Sequence, residues 1–261
     1  MKVFKSSIYG SVAEPESLGE VLDLATKPIE GVHYNVHMWR GQANIDWLLH
    51  SGAYRRLALT KERITEYDLR SYEKSLLAKA RFNNFHIVDG RELPDFDLLA
   101  RLQHHGAATR LFDTSRNCLV ALYFACSSHP DDHGLVTGFH SHNLGGYEGQ
   151  GEYRPYEQVV ADASEHDHPQ TWSPPLVSPR IAAQHSQFIY SKVSSNSPHS
   201  LNFSIKENAF LPIAISPILK AEALKLLSEV FDIRQSTLFP DLSGFCEINN
   251  THTQAYADHR W

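Results

Sequence analysis

The stretch VHMWRGQ, Val36–Gln42, places an arginine and a glutamine at the end of an apolar run, with one glycine between them. Val36 and Met38 alternate with His37 and Trp39, and that period of two predicts a strand over 33–39. Two residues apart on a strand means one shared face. Arg40 and Gln42 therefore present two planar hydrogen-bonding groups side by side at a strand tip, an arrangement suited to holding a ligand.

Outward from this tip the pattern is mostly helical. Pro15 to Lys27 reads as a first helix. Thr60 is placed to cap a long helix running to about His86, and Pro94 opens another that stops at Gly106. NCLVALYFAC, 117–126, is apolar on nearly every side and is expected to be a buried central helix. Leu135–His140, Gln187–Lys192 and Phe210–Ser216 read as strands. Ile218 to Val230 follows as a helix, and a last one is expected from Pro240. Helices first and strands later predict an α+β fold: one domain with a helical N-terminal half packed on a mostly antiparallel sheet. Residues 141–180, rich in Gly, Pro and polar side chains, read as a loop insertion serving as a lid or recognition surface.

Composition sets outer limits. The 261 residues suffice for a sizeable core, and 42% hydrophobic with 21% charged residues is an ordinary soluble balance. A net charge of −6 gives no global attraction to nucleic acid or membrane. Three cysteines without CxxC spacing fit reduced thiols. The N-terminus lacks a signal-peptide core, so the expected location is cytoplasmic, with no membrane partner. Sixteen histidines invite a metal reading, but the densest group, Glu165–His168, falls in a polar stretch without periodicity, and no HExxH occurs. No metal site is expected.

The second informative stretch is LARLQHHGAATRLFDTSRNCLVALYFAC, 99–126. A helix end carrying Gln103, His104 and His105 is followed by Thr109, Arg110 and Asp113 before the next helix. Helix N-termini attract anions, and the Arg110 fork suits phosphate or carboxylate. Plainer roles exist. Asp113 or Ser115 can cap the next helix, Arg110 can pair with Asp113, and Glu73 can serve as an arginine's partner, Arg40 included.

These two stretches together resemble the FRG domain, whose members carry an aromatic-Arg-Gly-Gln element, a Gln-His-Tyr-Gly-like element and a Thr-Arg-Leu-Leu-Asp element before an apolar helix. His105 occupies the tyrosine position and Thr114 stands where tryptophan is frequent. Arg180–Phe188 and Ser236–Phe245 resemble later elements of the family, with Ser186 at a usual glycine, so the resemblance runs from about 30 to 250. It implies an N-terminal helical segment at 1–30, an FRG-like domain at 31–250 and a C-terminal tail at 251–261. Such domains occur largely in bacterial and phage-related settings, which implies a toxin or phage-defence effector.

A weaker similarity links the aromatic-Arg-Gly strand end to the Arg-Ser-Glu class of ADP-ribosyltransferases. It implies an NAD-dependent transferase that modifies a protein or nucleic acid. NAD would then be the nucleotide substrate, held by Arg40, Gln42, Gln103, Arg110 and Gln184. The catalytic set would be drawn from Glu73, His104 and Asp113, with Glu247 a further acidic candidate. The alternatives are a non-catalytic nucleotide- or partner-binding module, and a phosphodiesterase using Gln103, His104 and Asp113 with histidine as general base.

Overall fold

In a computed structural model the described residues are 1–175, 178–195, 197–203, 210–255 and 257–259. Two residues of the expected insertion and three of the expected tail lie outside them.

Ten strands and ten helices occur among these residues, in an α+β arrangement. In chain order they are β1 (Lys2–Ser6), β2 (Gly10–Glu14), α1 (Leu18–Thr26), β3 (His37–Gln42), α2 (Gly52–Ala58), α3 (Glu66–Phe82), β4 (Ile87–Val88), β5 (Arg91–Glu92), α4 (Asp95–His104), β6 (Phe112–Ser115), α5 (Cys118–Cys126), β7 (Gly134–His140), α6 (Tyr156–Glu165), β8 (Gln170–Trp172), α7 (Pro179–Ala183), β9 (Ser186–Tyr190), β10 (Leu211–Ile215), α8 (Pro217–Glu229), α9 (Gln235–Leu238) and α10 (Leu242–Ile248). Eight strands form one sheet in the order β1-β2-β10-β7-β3-β6-β9-β8, and β4 and β5 form a separate hairpin. Among the described strand pairs, β2 and β10 run parallel and the others antiparallel.

The local causes are readable. Thr65, not Thr60, caps α3, exchanging hydrogen bonds with Asp68 in a capping box. Ser216 caps α8 with Pro217 in the first turn. Asn117 caps α5 by accepting from Leu119 N. Strands β1 and β2 open the chain, with Val12 supplying a core face near the sheet's end, and helices α8 to α10 follow the last strand. The helices-then-strands order expected from sequence therefore gives way to interleaving. The stretch 141–180 is also structured: it contains α6, whose Val159 and Val160 are buried, and β8. Its Gly- and Pro-rich flanks concealed an amphipathic helix of ten residues.

Strand β3 is at the centre. It pairs with β7 over six positions, His37↔His140 through Gln42↔Leu135. With β6 it pairs at one, Trp39↔Ser115. Beyond Trp39 the two strands part, and the sheet has a seam. Cross-strand partners share a face, so Trp39, Gly41, Ser115, Asp113 and Phe188 all lie on one side. On that side, α1, α5 and α8 cover the β10–β7–β3 half, with Trp39, Leu122, Val136 and Ile213 in their core. Helices α3, α4 and α6 pack against the β9–β8 half, where Phe96, Leu99, Phe188 and Tyr190 cluster. The opposite side is closed by Met38, Phe112, Phe139 and Ile189 with Leu49 and Leu201.

Gly41 is fixed by this packing. A Cβ there would lie 1.8 Å from the Ala121 carbonyl oxygen and 2.6 Å from Ala125 N. Helix α5 rests directly on the strand at the Arg-Gly-Gln element, so the glycine serves helix–strand approach.

Candidate functional site

Where the two helical sets separate above the seam, a cleft of about 770 Å³ opens. That is within the usual size of a ligand site. Its walls come from β3 (Arg40, Gln42), α4 (Gln103, His104), β6 (Asp113), α5 (Phe124), and the α7–β9 segment (Arg180, Gln184). Trp47, His50, Arg55 and Phe239 complete it. Arg40, Arg55 and Arg180 line it together with Asp46 and Asp113, and Arg180 is paired with Asp241 just behind the wall.

Arg40 spans the seam. Its Nη1 donates to the Asp113 carbonyl at 2.7 Å and lies 4.0 Å from the Asp113 carboxylate, while the guanidinium stacks on Phe112, 4.1 Å from the ring centroid. Burial pushes Arg40 below its ordinary pKa, Asp113 opposes that, and nearby Arg55 adds to it. Two of the cleft's polar atoms, Arg40 Nε and Gln42 Oε1, are buried without a hydrogen-bond partner. Such groups are costly unless something else completes them.

Asp113 is held in a short chain. Leu111 N donates to Thr109 Oγ1 at 3.2 Å, leaving that hydroxyl to donate to Gln103 Oε1. The Gln103 amide is thereby oriented, and its Nε2 donates to Asp113 Oδ1 at 2.5 Å. The carboxylate is positioned yet 64% exposed to the cleft. At the other end, His104 Nε2 lies 3.2 Å from Asp241 Oδ2 and its Nδ1 lies 3.3 Å from Ser178 Oγ. Asp241 also receives Arg180 Nη2 at 2.8 Å, and Arg180 stacks over Phe239. Burial first, then Arg180 and His105, lower the His104 pKa against the pull of Asp241. Gln184 Nε2 donates to the Leu238 carbonyl at 3.0 Å, so Arg180 and Gln184 both tie α7 to the α9–α10 segment.

The structure thus brings Arg40, Gln42, Gln103, His104, Asp113 and Gln184 to one cleft. It takes Glu73 and Arg110 out of it. Glu73 is fully buried and Arg110 is 2% exposed. Glu73 accepts from Arg110 N and Nε, both at 2.6 Å, and from the Tyr156 hydroxyl at 2.7 Å; Glu66 adds 3.1 Å to Arg110 Nη1. Burial would lower Arg110, but Glu73, Tyr156 and Glu66 hold it above its ordinary value. The expectation that Glu73 is catalytic and Arg110 grips a nucleotide is corrected: the pair pins α3 to α6 and the β6 approach. Arg110 is thus the arginine on Glu73, not Arg40. A helix start at Asp113 or Ser115 is corrected too, since strand β6 intervenes and Asn117 is the cap. Glu247 is exposed on α10 and does not line the cleft. Trp47 and His50 were missed because no periodicity marks a loop that contributes by position alone, and Arg55 because the short helix α2 carries no distinctive pattern.

An aromatic-walled cleft over a split sheet in an α+β domain is the candidate site of this chain. Residues 35–134 match the FRG domain family. The match covers the Arg-Gly-Gln strand, the Gln103–Asp113 element and α5, and ends at the start of β7. No curated protein and no solved structure matches this chain. No helix among the described residues is long and apolar enough to cross a membrane.

Proposed function

We propose that the cleft binds NAD and that the protein transfers its ADP-ribosyl group to an acceptor. The observation carrying this reading is the seam: two unsatisfied buried polar atoms, Arg40 Nε and Gln42 Oε1, lie beside an ordered, exposed carboxylate, that of Asp113. Arg40 supplies fixed charge for a diphosphate. Gln184 and Phe188 offer an amide and a ring for the nicotinamide. Asp113 is the carboxylate that takes the acceptor's proton and faces the developing ribose charge.

The step balances on those roles. The acceptor's nucleophile attacks C1′ of the nicotinamide ribose. The bond from C1′ to the pyridinium nitrogen breaks, and its electron pair leaves with neutral nicotinamide. The acceptor's proton passes to the Asp113 carboxylate and then to water. The ribose passes through oxocarbenium character, and a carboxylate nearby stabilises that charge. Glu73 plays no part, since its oxygens are spent on Arg110 and Tyr156.

Calorimetry with NAD and transfer from labelled NAD test this together. Arg40→Ala should weaken NAD binding by about ten- to a hundredfold, the worth of a charge-assisted hydrogen bond, with its melting transition retained. Asp113→Asn should keep NAD binding while transfer falls by about 10²–10⁴. NAD bound normally by Arg40→Ala overturns the reading. Binding without any label transfer by the wild type leaves a binding module.

A further inference from the structure

A second hollow of about 400 Å³ adjoins the cleft, and its lining shares Arg55, Gln103 and Asp113 with it. The hydrogen-bonded Gln103–Asp113 pair is the partition between them. The floor is small: Gly52, Gly106, Ala107 and Ala108. Arg56 and the 83% exposed Leu59 form the outer wall. Neither Arg55 nor Arg56 makes an ion pair among the described residues, although both are exposed on α2. Arg55 sits close enough to Arg40 and His50 to depress both. Two exposed arginines without an ion-pair partner, one of them lining the same cleft as Arg40, favour an anion at this edge.

Arg55 lines both the cleft and the groove, and Arg56 lines the groove alone. Neighbouring arginines that step from the cleft into the groove suit successive phosphates of a polyanion, whereas a single phosphate needs one such residue. Arg56 also lies over Tyr72, its guanidinium 5.7 Å from the ring centroid, so a flat ligand face and a phosphate can be met at one place.

We propose that this groove is the acceptor channel and that the acceptor is a single-stranded nucleic acid, its backbone on Arg55 and Arg56 and its reactive group reaching across Asp113. This rests on the transferase reading of the cleft. The strand approaches C1′ from the groove, past the Gln103–Asp113 partition.

The test uses fluorescence anisotropy of a labelled single-stranded oligonucleotide on the whole chain, with NAD calorimetry in parallel. Arg56→Glu alters the groove and not the cleft; Lys225→Glu makes the same charge change on the exposed side of α8. Arg56→Glu should weaken oligonucleotide binding by about tenfold and reduce the log–log salt slope by about one. Lys225→Glu should leave oligonucleotide binding unchanged, and both variants should bind NAD as the wild type does. Equal losses in the two variants, no oligonucleotide binding by the wild type, or equal competition by a polyglutamate peptide each overturn the channel. Loss of NAD binding by the wild type with the oligonucleotide result intact would instead remove the cleft reading and keep the groove.

Discussion

At the residue scale, chemistry divides by exposure. Asp113 and Glu73 are both carboxylates tied into the motif elements of this chain, but one is 64% exposed to a cleft and the other is sealed at 0%. A sealed carboxylate with an arginine partner contributes architecture, because removing one member strands the other charge in a low dielectric. Glu73→Gln should therefore destabilise the fold by about 3–5 kcal/mol, measured by urea denaturation. A loss confined to transfer activity, with an unchanged unfolding midpoint, would contradict the structural role. Lys220 illustrates the same economy in reverse: it is 1% exposed and donates to the carbonyls of Ala43, Ser128 and His129, which fastens α8 to the rim of the cleft without any carboxylate.

At the element scale, the Arg-Gly-Gln strand works as a unit because its faces have different duties. Arg40 and Gln42 face the seam, while Gly41 faces α5. The 1.8 Å approach that a Cβ would make to the Ala121 carbonyl cannot be relieved by a side-chain rotation, since the atoms in the way are helix backbone. Gly41→Ala must push α5 off the strand. The expected cost is about 1–3 kcal/mol or more, together with a widened cleft and weakened ligand binding. Calorimetric melting reads the first effect and titration the second. An alanine variant as stable as the wild type would show that the helix seat is softer than the geometry requires. The Arg-Gly-Gln and Gln103–Asp113 elements were legible in sequence as polar groups at element ends. Their convergence was an inference from resemblance, and strand β6, four residues long, was invisible: it is too short to show a period.

At the scale of the whole molecule, buried imidazoles set the response to acid. Burial, with His140 beside it, drives His37 down to about 4, and burial with His199 and Arg55 drives His50 down to about 4. Their ordinary value is 6.5. Between about 4 and 6.5 the unfolded chain binds protons at these histidines that the native chain does not. Stability therefore rises with pH across that window and is lost as pH falls through it. Asp97 runs the other way: burial raises it from 3.8 to about 6, so its native carboxyl holds a proton that the unfolded one releases. Two histidines against one aspartate leave a net loss on acidification. The melting temperature should fall from pH 6.5 toward pH 4, and His37→Phe should flatten that dependence. A melting temperature constant over this range would refute it. Asp241, held near 2 by Arg180, stays charged throughout.

The sequence alone determined the Ser216–Pro217 helix start, the apolar helix over 117–126, the strands at 135–140 and 187–192 to within a few residues, and the two polar elements that meet at the seam. These depend on near neighbours, and near neighbours are what a linear pattern records. It could not determine which arginine Glu73 holds, that 141–180 contributes a helix and a strand, or that Arg180 and Asp241 close the far wall of the cleft. Each of those is a contact between segments tens of residues apart, chosen by which pairs of groups can be buried together at least cost in lost hydration, and that choice exists only once the chain has packed.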